Sequence, residues 1–152
     1  MITLKSAREI EIMARAGRIV AGTLALMREI VRPGMTTEDL DVAAERYIRG
    51  HDGAVPSFKG LYGFPKTLCI SIDEEIVHGI PSPRRVLAKG SIVSVDVGVQ
   101  LEGLHADSAT TIPVGATVTA HGHRHTSAKI FEVKTERITY NGVTYNVYPD
   151  RT

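Results

Sequence analysis

The chain has 152 residues, enough for one domain with a real core, and its 43% apolar and 23% charged residues are ordinary globular composition. With 18 basic against 17 acidic residues the net charge is +1, which leaves no electrostatic footprint for nucleic acid or an anionic membrane. No apolar run approaches the ~18 residues that span a bilayer, the N-terminus lacks a signal-peptide h-region, and the lone Cys69 excludes an internal disulfide and fits a reducing cytoplasm.

Ser6-Ala-Arg-Glu9 is a capping-box pattern, and the spacing of Ile10, Met13, Gly17, Val20, Leu24, Met27 and Val31 predicts one buried face of a long helix. Arg32-Pro33-Gly34 ends it. Thr36 or Thr37 caps a second helix with Leu40, Ala43, Ala44, Tyr47 and Ile48 on its buried side, and Gly50-His51-Asp52-Gly53 stops it, with His51 solvated. Residues 54–65 read as a loop rich in Pro and Gly. Phe58, Tyr62 and Phe64 there line either an apolar pocket or a satellite core cluster. Leu68–Ile72 is a short strand, in which Cys69 is a buried small hydrophobe unless it faces the same pocket. The turn Asp73-Glu74-Glu75 leads into Ile76–Pro81, a rigid irregular segment that carries His78, either as a structural histidine or as a group aimed at a neighbour.

The chain is organised around 92–107. Val93, Val95, Val97 and Val99 alternate with Ser94, Asp96 and Gly98, the period of a strand with one apolar face. With Leu101 and Glu102 as loop residues, a hairpin would set Asp96 directly opposite Asp107 on the polar face. Like charges so placed repel. A bound divalent cation would resolve the conflict, and the alternative is a solvated face with a slipped register.

Together, Tyr62–Pro81, Gly90–Gly98 and Gly103–Asp107 closely resemble type I methionine aminopeptidase, over about residues 1–115. The resemblance implies half of a pita-bread fold: an α+β arrangement of two helices packed on an antiparallel sheet. It further implies a dinuclear metallopeptidase (Mn, Co, Fe or Zn) that hydrolyses the N-terminal methionine from polypeptides. By position, Asp96 and Asp107 match metal ligands, His78 the histidine that contacts substrate, and Phe64 and Cys69 the methionine pocket, with Tyr62 beside it. Leu61 stands where the family often has an aromatic residue. A histidine and two glutamates that complete the family's metal site have no counterpart here. Little activity as a monomer is therefore expected. A non-catalytic truncated or chimeric half-fold and a homodimerising assembly element are the alternatives.

Residues 116–128 read as a linker and 129–152 as an added C-terminal β-hairpin, with Asn141-Gly142 as its type I′ turn. His121, His123 and His125 alternate, so they either share a strand face able to bind a metal or belong to a polar linker. Glu132 and Glu136 are remote candidates to replace missing carboxylates. The expected partner is a peptide N-terminus bearing methionine, and the expected compartment is the cytoplasm.

Overall fold

Ser6 and Glu9 close the predicted capping box: the Glu9 carboxylate accepts the Ser6 N–H at 2.7 Å, and Ser6 Oγ accepts the Glu9 N–H at 3.3 Å. Helix α1 (Ala7–Ile30) starts there in the computed structural model, which describes residues 4–115, 119–124, 133–140 and 143–146, with side chains over 4–115. The chain divides into two compact units, Met1–Val114 and Gly115–Thr152.

The buried arc of α1 is Ile12, Ala16, Ile19, Val20, Thr23, Leu24 and Met27. Val20, Leu24 and Met27 are as expected, but Ile10 is 57% exposed. The expected stripe lies to one side because small Ala16 and polar Thr23 occupy the middle of the arc. Thr23 can be buried there because its hydroxyl donates to the Ile19 carbonyl at 2.9 Å. Past the C-cap at Val31, Gly34 takes φ +88°, a conformation suited to glycine.

Helix α2 (Thr37–Arg49) is capped by Thr36, which forms a second reciprocal box with Asp39 at 2.8 and 3.1 Å. Leu40, Ala44 and Ile48 are fully buried, with Ala43 and Tyr47 packed beside them. His51 is not solvated as expected: its Nδ1–H donates to the Tyr47 carbonyl at 2.9 Å, and its ring tilts against Tyr47 at 4.9 Å. The Tyr47 carbonyl, at the helix end, also accepts the Gly50 N–H at 3.2 Å, so the histidine adds a second donor to it.

Strand β3 (Ile92–Leu101) is central in an antiparallel sheet. Along one edge it pairs with β4 (Leu104–Pro113) over its whole length. On the other edge it pairs with β2 (Leu68–Ile72) through 93–97 and with β1 (Ala54–Pro56) through 99–101. Strand β1 falls inside the stretch read as loop. Three residues are too few to show a period, and Pro56 is tolerated on so short an edge piece. Val93, Val95, Val97 and Val99 are all fully buried and form one core with Leu68, Ile70, Ile112 and the two helices. This is the expected α+β half of a pita bread.

The hairpin register differs from the expected one by one step. Leu101 pairs with Leu104, so Glu102 and Gly103 are the loop, with φ 49° and 79°. Two positive φ values in a two-residue hairpin loop are those of a type I′ turn, in which glycine is favoured at the second place. Asp107 therefore faces Gly98, and Asp96 faces Ala109. The two aspartates share the polar face as diagonal neighbours rather than directly opposed ones.

In the second unit β5 (Thr119–Arg124), β6 (Val133–Tyr140) and β7 (Val143–Asn146) form an antiparallel sheet in that order. Tyr140 pairs with Val143, as the hairpin signal requires. Strand β5 lies within the stretch read as a linker. Backbone ladders need no apolar alternation, so a polar strand leaves no pattern to read. His121 and His123 lie on β5, with a register shift between His121 and Gly122. Glu136 lies on β6, while His125 and Glu132 fall outside the described residues. Among the described residues, no helix is long and apolar enough to cross a membrane.

Candidate metal and peptide site

The valines commit one face of β3 to the helices, so Ser94, Asp96, Gly98 and Gln100 must present the other. Cys69 of β2 pairs with Asp96, and Asp107 of β4 with Gly98, which gathers the thiol and both carboxylates on that face. Asp96 and Cys69 are both strongly perturbed. Burial, the charge of Asp107 and a hydrogen bond between the two carboxyls push the Asp96 pKa up to about 6, against the smaller pull of His78 and the Val97 N–H. Burial, and then the charges of Asp96, Asp107 and Asp41, push the Cys69 thiol up to about 11, so it is a neutral wall rather than a nucleophile.

His78 reaches this face from the segment that follows β2. The Ile70 N–H donates to the Gly79 carbonyl at 2.8 Å, and the Gly79 N–H donates to Ser71 Oγ at 3.2 Å, so the backbone runs along the open edge of β2. His78 adopts φ 61° and its side chain stays exposed.

Two cavities meet at Cys69, His78 and Asp96. The larger, about 690 Å³, has Phe58, Leu61, Tyr62, Phe64 and Ile80 as apolar walls and also reaches Asp107. Phe64, Cys69 and Tyr62 all line it, the last with its side chain fully exposed. The smaller, about 340 Å³, extends over Ser71, Ser94 and Thr111 beside Ile76 and Val77.

Phe58 emerges as a wall residue in its own right. It lies across Gly98, where an added Cβ would come within 2.7 Å of the Phe58 ring and 2.9 Å of Ser57 Cβ. Gly98→Ala should accordingly destabilise the protein by about 1–3 kcal/mol, the usual cost of overpacking, and displace the Phe58 ring. Urea denaturation, together with the Phe58 ring signals in an aromatic NMR spectrum, would check this; an unshifted midpoint and unchanged ring signals would show that the contact is dispensable.

Two supporting groups gave no pattern in the sequence. Buried Asp41 of α2 accepts the N–H groups of Thr67 and Leu68 at 2.9 and 2.8 Å, tying the start of β2 to the helix. His105 of β4 receives the Gln100 amide on Nε2 at 3.2 Å and donates from Nδ1 to Ser57 Oγ at 2.9 Å, fastening the aromatic loop to the hairpin. A polar residue on a helix's inner face and a histidine two places before Asp107 are the faint signals that could have found them.

The donor set suits a hard divalent cation in part. Asp96 and Asp107 supply carboxylate oxygens that repel one another without one. Among the described residues, no group of three or more His, Cys, Asp or Glu side chains is arranged to hold a metal.

A small antiparallel sheet under two helices, with a carboxylate pair on its open face, is the half-fold that the comparisons with known proteins assign to a family of metallopeptidases. Residues 11–138 match metallopeptidase family M24, and the chain belongs to that family. Over 115 residues it is 53% identical to the methionine aminopeptidase of Clostridium perfringens and 51% identical to methionine aminopeptidase 1 of Bacillus subtilis, which covers 76% of this chain in each case. It superposes on the crystal structure of methionine aminopeptidase from Thermotoga maritima with a TM-score of 0.73 at 40% identity, over 76% of this chain and 46% of that one. The chain thus spans slightly less than half the length of these relatives, 45% and 46% of the two curated proteins.

Proposed function

We propose that residues 1–115 carry one half of a methionine aminopeptidase site. Asp96 and Asp107 hold a divalent cation (Mn, Co, Fe or Zn), the larger cavity accepts a methionine side chain, and His78 contacts the scissile amide. The observation that carries this reading is the carboxylate pair on the floor of an apolar, aromatic-walled cavity with a histidine at its edge.

When bound, the cation supplies a Lewis acid and a water that ionises near neutral pH. The chain's own residues do the rest. Phe58, Phe64 and Ile80 desolvate the thioether side chain, and the neutral Cys69 thiol adds no charge to that wall. His78 stands where an N–H can hydrogen-bond the carbonyl oxygen as negative charge develops on it. The family resemblance assigns three further metal ligands, one of them the glutamate that handles the proton, and those are not among the described residues. Two carboxylates alone make a weak site. Turnover by this chain as a monomer should stay below the ~1 s⁻¹ of ordinary enzymes.

In this reading the natural ligand is a peptide N-terminus bearing methionine. A Met-Ala-Ser peptide should bind at least tenfold more tightly than Ala-Ala-Ser, with shifts confined to the Phe58, Phe64 and Cys69 signals in an NMR titration. Equal binding of the two peptides would reject the methionine pocket. A second reading, an element that assembles with another copy, is favoured by the exposed Leu61, Tyr62, Ile76, Val77 and Ile80 around the cavities. Sedimentation that shifts to a dimer with concentration would support it.

A further inference from the structure

His78 sits on a segment with neither helix nor strand of its own, yet its backbone is held in the left-handed region at φ 61°. The next residue is pressed so close to β2 that a Cβ on Gly79 would lie 2.0 Å from the Ile70 carbonyl oxygen. An arrangement so tight needs something to hold it, and one guanidinium does so from below. Arg85 Nη1 donates to the carbonyls of Ile80 at 2.8 Å and Ile70 at 3.1 Å. Its Nη2 pairs with the Glu75 carboxylate, whose same oxygen accepts the Ile72 N–H at 2.9 Å.

One side chain therefore grips the segment before His78, at Glu75, and after it, at Ile80, and anchors both to β2. Arg85 is itself fixed: its N–H donates to the Ser82 carbonyl at 3.2 Å, and its carbonyl accepts from the N–H of Thr37 at 2.9 Å, the first residue of α2. Its side chain is 23% exposed. A planar fork with several donors suits three acceptors at once, which a lysine ammonium on a flexible stem cannot match in geometry.

We propose that Arg85, with Glu75, is the positioning residue that sets His78 at the edge of the cavities. Its importance for catalysis rests on the reading of His78 as the substrate-contacting group. Its structural content does not.

The test uses the full-length, metal-free protein without peptide. In Arg85→Gln the backbone order parameter of His78 should fall from about 0.85 to below about 0.6, and its ring signal in a ¹H–¹³C spectrum should broaden or split. The His51 and His105 ring signals should stay in place. Arg85→Lys should restore part of the His78 order, and Glu75→Gln should loosen it less than Arg85→Gln. An unchanged His78 signal in folded Arg85→Gln would overturn the proposal, as would equal loosening at His51 and His105, which would make Arg85 general glue. If Arg85→Gln does not fold, Glu75→Gln decides alone, and a rigid His78 in that variant overturns the proposal. Neither metal nor peptide is in the sample, so a lack of methionine preference would sink the aminopeptidase reading and leave this result standing.

Discussion

Asp107→Asn should make the metal-free protein more stable at pH 7.5 and, in the same change, weaken Mn²⁺ binding at least tenfold. The carboxyl of Asp96 is raised from its ordinary 3.8 to about 6, by burial first and then by Asp107. A raised carboxyl binds its proton more tightly in the folded state. It therefore favours folding below pH 3.8, and that contribution is lost as pH rises through about 6. Above this, the full shift would correspond to about 3 kcal/mol at ~1.4 kcal/mol per unit. Asp96 is partly open to solvent, so screening reduces this to about 1–2 kcal/mol, and Asp107 accounts for only part of it. The expected gain from Asp107→Asn is about 1 kcal/mol at pH 7.5, shrinking towards nothing near pH 3.5. Urea denaturation at the two pH values reads the first half, and calorimetric Mn²⁺ titration the second. A variant that is destabilised at pH 7.5 would show that the pair is not in electrostatic conflict. Mn²⁺ binding that survives both Asp96→Asn and Asp107→Asn would move the metal elsewhere, with the tail residues His121 and His123 next in line.

Asp41→Ala should destabilise the fold by about 3 kcal/mol, since it leaves two buried N–H groups at the head of β2 without an acceptor. Asp41→Asn should cost far less. Burial raises the Asp41 pKa despite the two backbone hydrogen bonds, so the desolvated charge costs more than those bonds return, and an amide oxygen keeps an acceptor without the charge. The sign of the shift also predicts that acid does not unfold the protein through this residue, because the folded state takes up the proton more readily than the unfolded one. Denaturation midpoints for the two variants would check the contrast. Equal losses would mean that the charge itself, and not the acceptor, holds β2.

The elements that were legible in the sequence are those whose signal is local. The Ser6–Glu9 capping box fixed the start of α1, the pair Thr36 and Thr37 marked that of α2, four alternating valines fixed the buried face of β3, and Asn141-Gly142 marked the β6–β7 hairpin. The register slipped because the apolar Leu101 looked no worse as a loop residue than Glu102. Glycine's freedom at positive φ was the better guide, and Gly103 carried it. Within the site, Asp96 and Asp107 came to one face from the hairpin pattern itself, but His78, Phe64 and Cys69 could be joined to them only through the resemblance to a family, since an irregular segment separates β2 from β3. Asp41, Arg85 and His105 were not legible because the side chain of each acts on backbone or side-chain groups far away in sequence, 27, 15 and 48 positions for their longest side-chain contacts. Hydrogen bonds of that kind leave no periodicity.

The strict two-sidedness of β3 has a consequence for how the protein can vary through descent. Substitutions at 93, 95, 97 and 99 are felt by the core and are tolerated only as exchanges of similar volume. Those at 94, 96 and 100 are felt by whatever occupies the open face. A lineage can thus lose or remodel its chemistry through the even positions while the odd ones keep the chain folding, so a well-formed sheet is no guarantee of a working catalyst. Gly98 is the exception, an even position on which Phe58 rests, where one inherited methyl group would alter shape and chemistry together.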